Sequence, residues 1–249
     1  MRFRHLVYGN WGFDRKLSLG KGINVLFSGS PGTGKTMAAE VLATELSLDL
    51  FKIDLSQIVR KYIGETEKNL NRVFDEARAS NAILFFDEAD ALFGKRSEVR
   101  DSHDRYANIE IAYLLQKMEE YEGLSVLATN LKKNLDEAFT RRLSFITDFP
   151  FPDEQSRLRI WQSTWPPELP LGEGLDLVYM AKQYRLSGGS IKNIAVAAAF
   201  LAAERGEKVQ TAHLIRATRR EFQKMGKPLT QHETGNYAPV AIAVAGGIR

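Results

Sequence analysis

Ile23-Asn24-Val25-Leu26-Phe27-Ser28-Gly29-Ser30-Pro31-Gly32-Thr33-Gly34-Lys35-Thr36 is the stretch that decides the architecture of this chain. A short apolar run, Ile23 to Phe27, leads into a glycine-rich octet, Gly29 to Thr36. A helical pattern follows at once, with Ala39, Leu42, Ala43 and Leu46 on one face. The octet satisfies G-x-x-x-x-G-K-[ST] in the context that gives the spacing its meaning, after a strand and at the opening of a helix. Glycines let backbone N–H groups curl around anionic oxygens, and the helix N-terminus adds partial positive charge. Lys35 would reach terminal phosphates, and the Thr36 hydroxyl would ligate Mg²⁺. The competing reading is a glycine-rich turn that matches by accident, and the flanking strand and helix weigh against it.

Outward from this stretch, strand and helix patterns alternate. Leu50 to Leu55 reads as a strand, and Leu70, Val73, Phe74 and Ala77 as an amphipathic helix. Ile83-Leu84-Phe85-Phe86 is apolar on both faces; Ile111, Leu114, Leu115 and Met118 mark another helix; Ser125 to Thr129 and Phe145 to Phe149 complete the strands. Buried strands separated by helices predict a doubly wound α/β unit with a parallel sheet of five strands. The character changes after Pro150-Phe151-Pro152, beyond which only helical signals occur. Ile191, Ile194, Ala195 and Ala198 form one stripe, and Leu214, Ile215, Ala217 and Phe222 another, with Thr211 expected as its N-cap. The expected division is an α/β domain over 1–150, a small all-helical domain over 151–225, and a tail over 226–249.

Composition narrows the chemistry. The chain has 249 residues, 44% hydrophobic and 26% charged, which is enough for a sizeable core. Zero Cys excludes a disulfide framework, thiolate zinc sites and a thiol nucleophile. The four His residues, His5, His103, His213 and His232, make no metal-ligand spacing. A net charge of +3 neither requires nor forbids nucleic acid, and no basic, aromatic-interleaved stripe calls for it. No apolar run reaches the roughly 20 residues of a membrane helix, and the expectation is a cytoplasmic protein.

Two further positions belong with the octet. Asp87 and Glu88 end the apolar strand Ile83 to Phe86, and a carboxylate there is costly unless it meets a cation. Asp87 would orient Mg²⁺ and Glu88 would polarise an attacking water as general base; the alternative is that both cap the following helix. Asn130 ends the strand Ser125 to Thr129 and should project to the same edge, where its amide would hold either the attacking water or the γ-phosphate. Read alone, an Asn at a strand end is a turn former.

With these residues in order, the chain resembles the AAA ATPases from Gly20 to about Lys224. Within them it is similar to the clade of katanin, spastin and their bacterial relatives, and more weakly to bacterial AAA proteins of contractile injection systems. Lys61-Tyr62-Ile63-Gly64-Glu65-Thr66-Glu67 resembles that clade's first pore loop and the helix after it. Arg141-Arg142, after Leu135-Asp136-Glu137-Ala138-Phe139, matches its arginine-finger position; without the resemblance, the two cations would be read as stabilising a helix C-terminus.

The resemblance implies binding of ATP/ADP with Mg²⁺ and hydrolysis by a homo-hexameric ring. Arg141 and Arg142 would complete a neighbour's site, and Lys61, Tyr62, Ile63 and Gly64 would grip a protein substrate in a central pore. Core anchoring is the plain alternative for Tyr62 and Ile63. Ser97 to Arg105 reads as a solvated loop, or by resemblance as a second pore loop. Ser187-Gly188-Gly189-Ser190-Ile191 resembles the start of the lid helix, where Gly188 and Gly189 approach the adenosine. Ser190 stands where other branches carry a phosphate-sensing arginine, so none is expected; Lys192, next along, reads as a solvent-facing lysine, with a substitute for that sensor as the alternative.

Family members carry an upstream segment shaping the adenine pocket and a substrate-choosing N-terminal domain. Only Met1 to Gly22 precedes the first strand here, so the chain is a fragment or lacks those parts. The expected function is ATP-driven remodelling of proteins; the alternative is a nucleic-acid-associated ATPase of clamp-loader or helicase-loader type. A small-molecule kinase would not need Glu88 after Asp87, and no H-E-x-x-H supports a protease.

Overall fold

The structure, a computed structural model, describes residues 5–16, 21–55, 65–92, 112–130 and 140–227. The described residues form two compact units. The first takes in residues up to Ser30 and Gly34–Pro150, and the second Pro31–Thr33 with the chain from Phe151 onward.

In the first unit, β1 (Ile23–Ser28), β2 (Leu50–Asp54), β3 (Ile83–Asp87), β4 (Leu124–Thr129) and β5 (Phe145–Asp148) make one five-stranded sheet in the order β2-β3-β4-β1-β5. Every pairing is parallel. Successive side chains of a strand point to opposite faces, and the core divides accordingly. Ile83 and Phe85 pack with Ala39 and Ala43 of α1 (Lys35–Leu46). Leu84 and Phe86 pack with Leu70, Phe74 and Ala77 of α2 (Glu65–Ser80), and with Leu114, Leu115 and Met118 of α3 (residues 112–120). Helices on both faces explain why the strands read as continuous apolar runs. At the sheet's edge β5 departs from this, leaving Phe145 and Ile146 exposed.

The register fixes where strand ends meet. Ser28 pairs with Thr129 and Asp54 with Asp87. The residues just past β1, β3 and β4 therefore share one edge of the sheet, the carboxyl edge.

The second unit packs α4 (Glu154–Ser163), α5 (Leu177–Gln183), α6 (Gly188–Ala203) and α7 (Thr211–Lys224). Three starts are capped as physical chemistry prefers: Asp153, Asp176 and Ser187 accept hydrogen bonds from the N–H groups of Ser156, Tyr179 and Ser190. The Ser156 N–H holds the Asp153 carboxyl below the usual carboxylate range. Its contribution to the helix is therefore complete at neutral pH and fades as acid brings the pH through that lowered value.

Thr211 is not the N-cap of α7; Gln210 is, in a reciprocal capping box with His213. The Thr211 hydroxyl is committed elsewhere, donating to the Gly174 carbonyl at 2.8 Å and accepting from the Asp176 N–H at 2.7 Å.

Trp161 anchors this core, fully buried and stacked on Trp165 at 6.2 Å between ring centroids. Trp161→Ala should lower unfolding free energy by about 3–5 kcal/mol in denaturant titrations followed by circular dichroism. A change under about 1 kcal/mol would mean that the cavity closes by repacking.

Candidate active site

Gly29 follows β1 and its N–H donates to the Thr129 carbonyl at 3.2 Å, which ties the glycine-rich loop to the end of β4. No side chain fits at Gly29, since a Cβ there would lie 2.2 Å from the Phe149 carbonyl oxygen. Gly34 has room for a Cβ but takes φ +101°, a left-handed conformation in which it serves as N-cap of α1. The chain thereby reverses and the first N–H groups of α1 open onto the loop.

Lys35, the first residue of that helix, is only 8% exposed. Its Nζ donates to the carbonyls of Gly29 (2.7 Å) and Ser30 (3.1 Å) and to Asn130 Oδ1 (2.9 Å). Burial pushes the Lys35 pKa below its ordinary value, and the negative charges of Asp87 and then Asp90 oppose that shift. This is an ammonium stripped of water and short of counter-charge, which is the environment a bound polyphosphate would complete.

Asp87 and Glu88 leave β3 at the same edge. The Glu88 N–H donates to Asp87 Oδ1 at 2.9 Å, and Glu88 takes φ +53°. A left-handed conformation is unfavourable for a residue with a Cβ and is characteristic of functional positions. It turns the Glu88 side chain out of the strand's alternation, and Glu88 is exposed while Asp87 is half-buried.

A metal would suit this donor set only as a visitor. Among the described residues no three His, Asp or Glu converge to hold a cation. Thr36 and Asp87 would hold the ion, Asp87 through its water shell, with water and phosphate supplying the other oxygens. The register places Asp54 beside Asp87 at this edge.

Arg141 and Arg142 are not part of this cluster. They precede β5 and line a groove of about 370 Å³ with Gly22, Asn24, Glu119, Leu143 and Ser144. Arg142 Nε lies 2.7 Å from Glu119 Oε1, and the Arg142 carbonyl accepts from Asn24 Nδ2 at 3.5 Å. Asn24 is the second residue of β1 and the glycine-rich loop follows its end, so a strand length of about 16 Å separates the arginines from the loop.

Gly188 and Gly189 begin α6, and within the second unit the Gly189 N–H donates to the Gly32 carbonyl at 2.9 Å. A Cβ at Gly189 would stand 3.2 Å from Gly32 Cα, a tight contact that this backbone approach avoids by having glycine there. Lys61, Tyr62, Ile63 and Gly64 lie outside the described residues, as do Ser97 to Arg105, Leu135 to Phe139 and Val240 to Arg249. Asp90, which sequence reading passed over, touches both Thr129 and Asn130. The available signal was a third carboxylate three residues after Asp87.

Residues 25–151 match the family described as ATPase family associated with various cellular activities (AAA). Among curated proteins, the chain is 36% identical over 129 residues to an AAA family ATPase of Sinorhizobium fredii, y4kL, covering 52% of this chain and 39% of the relative. It is 31% identical over 212 residues to the proteasome-activating nucleotidase of Saccharolobus solfataricus, covering 82% and 54%. It is 34% identical over 178 residues to the 26S proteasome regulatory subunit 6B homolog of Dictyostelium discoideum, covering 68% and 44%. The chain thus spans about half or less of the length of these relatives.

Proposed function

The chain belongs to the AAA family of ATPases, and from that premise we propose that it hydrolyses Mg²⁺-ATP within a homo-hexameric ring to unfold or remodel protein substrates. The observation that carries the ring reading is the separation of two sets of residues across the sheet. Lys35, Asp87, Glu88 and Asn130 stand at the carboxyl edge, and Arg141 and Arg142 lie before β5 at the amino edge. Arginines that far from their own phosphate site can serve hydrolysis only by entering a neighbouring copy's site.

Bound Mg²⁺-ATP would supply the scissile phosphoanhydride and the divalent charge that offsets its phosphates. The backbone of Gly29, Ser30, Pro31, Gly32, Thr33 and Gly34 would cradle the phosphates, with Lys35 on the terminal ones. Thr36 and Asp87 would hold the metal, and Glu88 would take the proton of the attacking water. Gly188 and Gly189 would border the adenosine, with residues 151–225 serving as the lid. Lys61, Tyr62, Ile63 and Gly64 would line the pore.

A protein substrate is supported by the names of two relatives, a proteasome-activating nucleotidase and a proteasome regulatory subunit. The finer placement beside katanin and spastin, or beside contractile-injection proteins, rests on Lys61 to Glu67 and the arginine pair. No helix among the described residues is long and apolar enough to cross a membrane, and action in the cytoplasm fits that.

Replacing Arg141 and Arg142 together by alanine should leave ATP affinity within about threefold and cut turnover about a thousandfold. Mixing that variant with Lys35→Ala should restore part of the activity, because each then supplies what the other lacks. Specific turnover should rise with protein concentration, in step with an ATP-dependent increase in sedimentation coefficient. Turnover independent of concentration, with no recovery on mixing, would remove the ring.

A further inference from the structure

Ala89–Leu92 forms a short 3-10 turn immediately after β3, and it brings Asp90 against the end of β4. The Asp90 carboxylate accepts from consecutive residues. The Thr129 hydroxyl and the Asn130 N–H (2.8 Å) both donate to Oδ1, and Asn130 Nδ2 donates to Oδ2 at 2.8 Å. On its other side the Asn130 amide meets Lys35, whose Nζ donates to Oδ1 at 2.9 Å.

An amide has two ends of opposite character, and which end faces the phosphate site decides what it can hold. A carboxylate only accepts and an ammonium only donates. Asp90 therefore requires the NH₂ end of Asn130, and Lys35 independently requires the oxygen end. The two constraints agree.

From this agreement we infer that Asp90 is a positioning residue that sets the polarity of Asn130, so that the amide offers an acceptor oxygen to the nucleotide site. An acceptor can receive a hydrogen bond from an attacking water or from Lys35, and it cannot donate to a phosphate oxygen. Of the two roles open to Asn130, holding water or holding the γ-phosphate, this chooses water. The inference rests on the ATPase reading above for its consequence in turnover, though not for the orientation itself.

Asp90→Asn is the discriminating change. Whichever way the new amide turns, it sets one donor against another, either at Asn130 Nδ2 or at the Asn130 N–H, since only the Thr129 hydroxyl can turn to accept. The expected result is a fall in kcat of about tenfold or more, with the ATP dissociation constant within about threefold. In an Asn130→Ala background the same change should cost less than about twofold, because the group it acts through is gone. A merely structural Asp90 would instead multiply its penalty with that of Asn130→Ala.

The second measurement needs no nucleotide. In ¹⁵N spectra of the full chain, the side-chain NH₂ of Asn130, an exposed residue, should exchange with solvent more slowly than other exposed Asn and Gln amides because Asp90 holds it, and that protection should vanish in Asp90→Asn. Undiminished kcat in Asp90→Asn, multiplying penalties, or a fast-exchanging Asn130 amide in the unaltered protein would each overturn the assignment. The last applies even if Asp90→Asn does not fold. Absence of ATP turnover in the unaltered protein would count against the proposed function instead, and the amide exchange would then decide the orientation by itself.

Discussion

Lys35→Ala will abolish measurable ATP binding. Lys35 is the cation that the glycine-rich loop holds at its centre, with donors on the Gly29 and Ser30 carbonyls and on Asn130 Oδ1. Its removal takes away the one positive charge that this edge of the sheet offers to the phosphates among the residues described above. It also leaves the Gly29 and Ser30 carbonyls and Asn130 Oδ1 without that donor, but Ser30 and Asn130 are exposed and water can take its place there, so the loss falls on binding more than on folding. Loss of a charge-assisted contact to phosphate should weaken affinity at least about a hundredfold. Titration with a fluorescent ATP analogue measures it, and unchanged affinity in a folded Lys35→Ala protein would dismantle the phosphate-loop argument.

A pH dependence accompanies this. The free protein's Lys35 pKa lies below the ordinary lysine value because burial disfavours the charge. Phosphate favours the charged form, so the pKa in the complex is higher than in the free protein. The lysine's contribution to binding is then complete below the free-protein pKa and is lost as pH rises from there through the pKa of the complex. ATP affinity should begin to fall at a lower pH than an ordinary lysine would dictate, and Lys35→Ala should remove that dependence.

Glu88→Gln should retain ATP affinity and lose turnover by about a hundredfold to ten-thousandfold. Two features of the ground state survive the substitution. The contact with Asp87 is made by the Glu88 backbone N–H, and glutamine is no worse than glutamate at φ +53°. What is lost is the capacity to take a proton. Single-turnover hydrolysis, with sedimentation in ATP to show that the nucleotide-bound assembly persists, separates chemistry from binding. Wild-type turnover in Glu88→Gln would reassign the base. A companion variant, Glu88→Gly, should be more heat-stable than the unaltered protein and as inactive as Glu88→Gln, because it relieves the left-handed backbone as it deletes the carboxylate.

The parallel sheet and the phosphate loop were legible from local chemistry. Strands buried on both faces must be apolar at every position, and Ile83 to Phe86 is. A loop that curls around anions needs glycine where φ turns positive, and Gly32 and Gly34 supply it. The α6 stripe of Ile191, Ile194, Ala195 and Ala198 was equally plain, since all four are buried. Thr211 misled because a hydroxyl before a helical pattern has the same appearance whether it caps the helix or ties down the preceding loop.

Letters alone therefore announced which segments are buried in the sheet and where the glycine-rich loop lies, because burial periodicity and glycine placement are properties of a few consecutive residues. Relations between distant segments were decided by packing. Register across β1, β3 and β4 puts Asp87, Asn130 and Lys35 on one edge; the position of β5 sends Arg141 and Arg142 to the other; a turn after β3 makes Asp90 the partner of Asn130. Such juxtapositions join residues 40 or more positions apart. The free energy of bringing them together belongs to the folded core, so no local pattern in the chain can announce it.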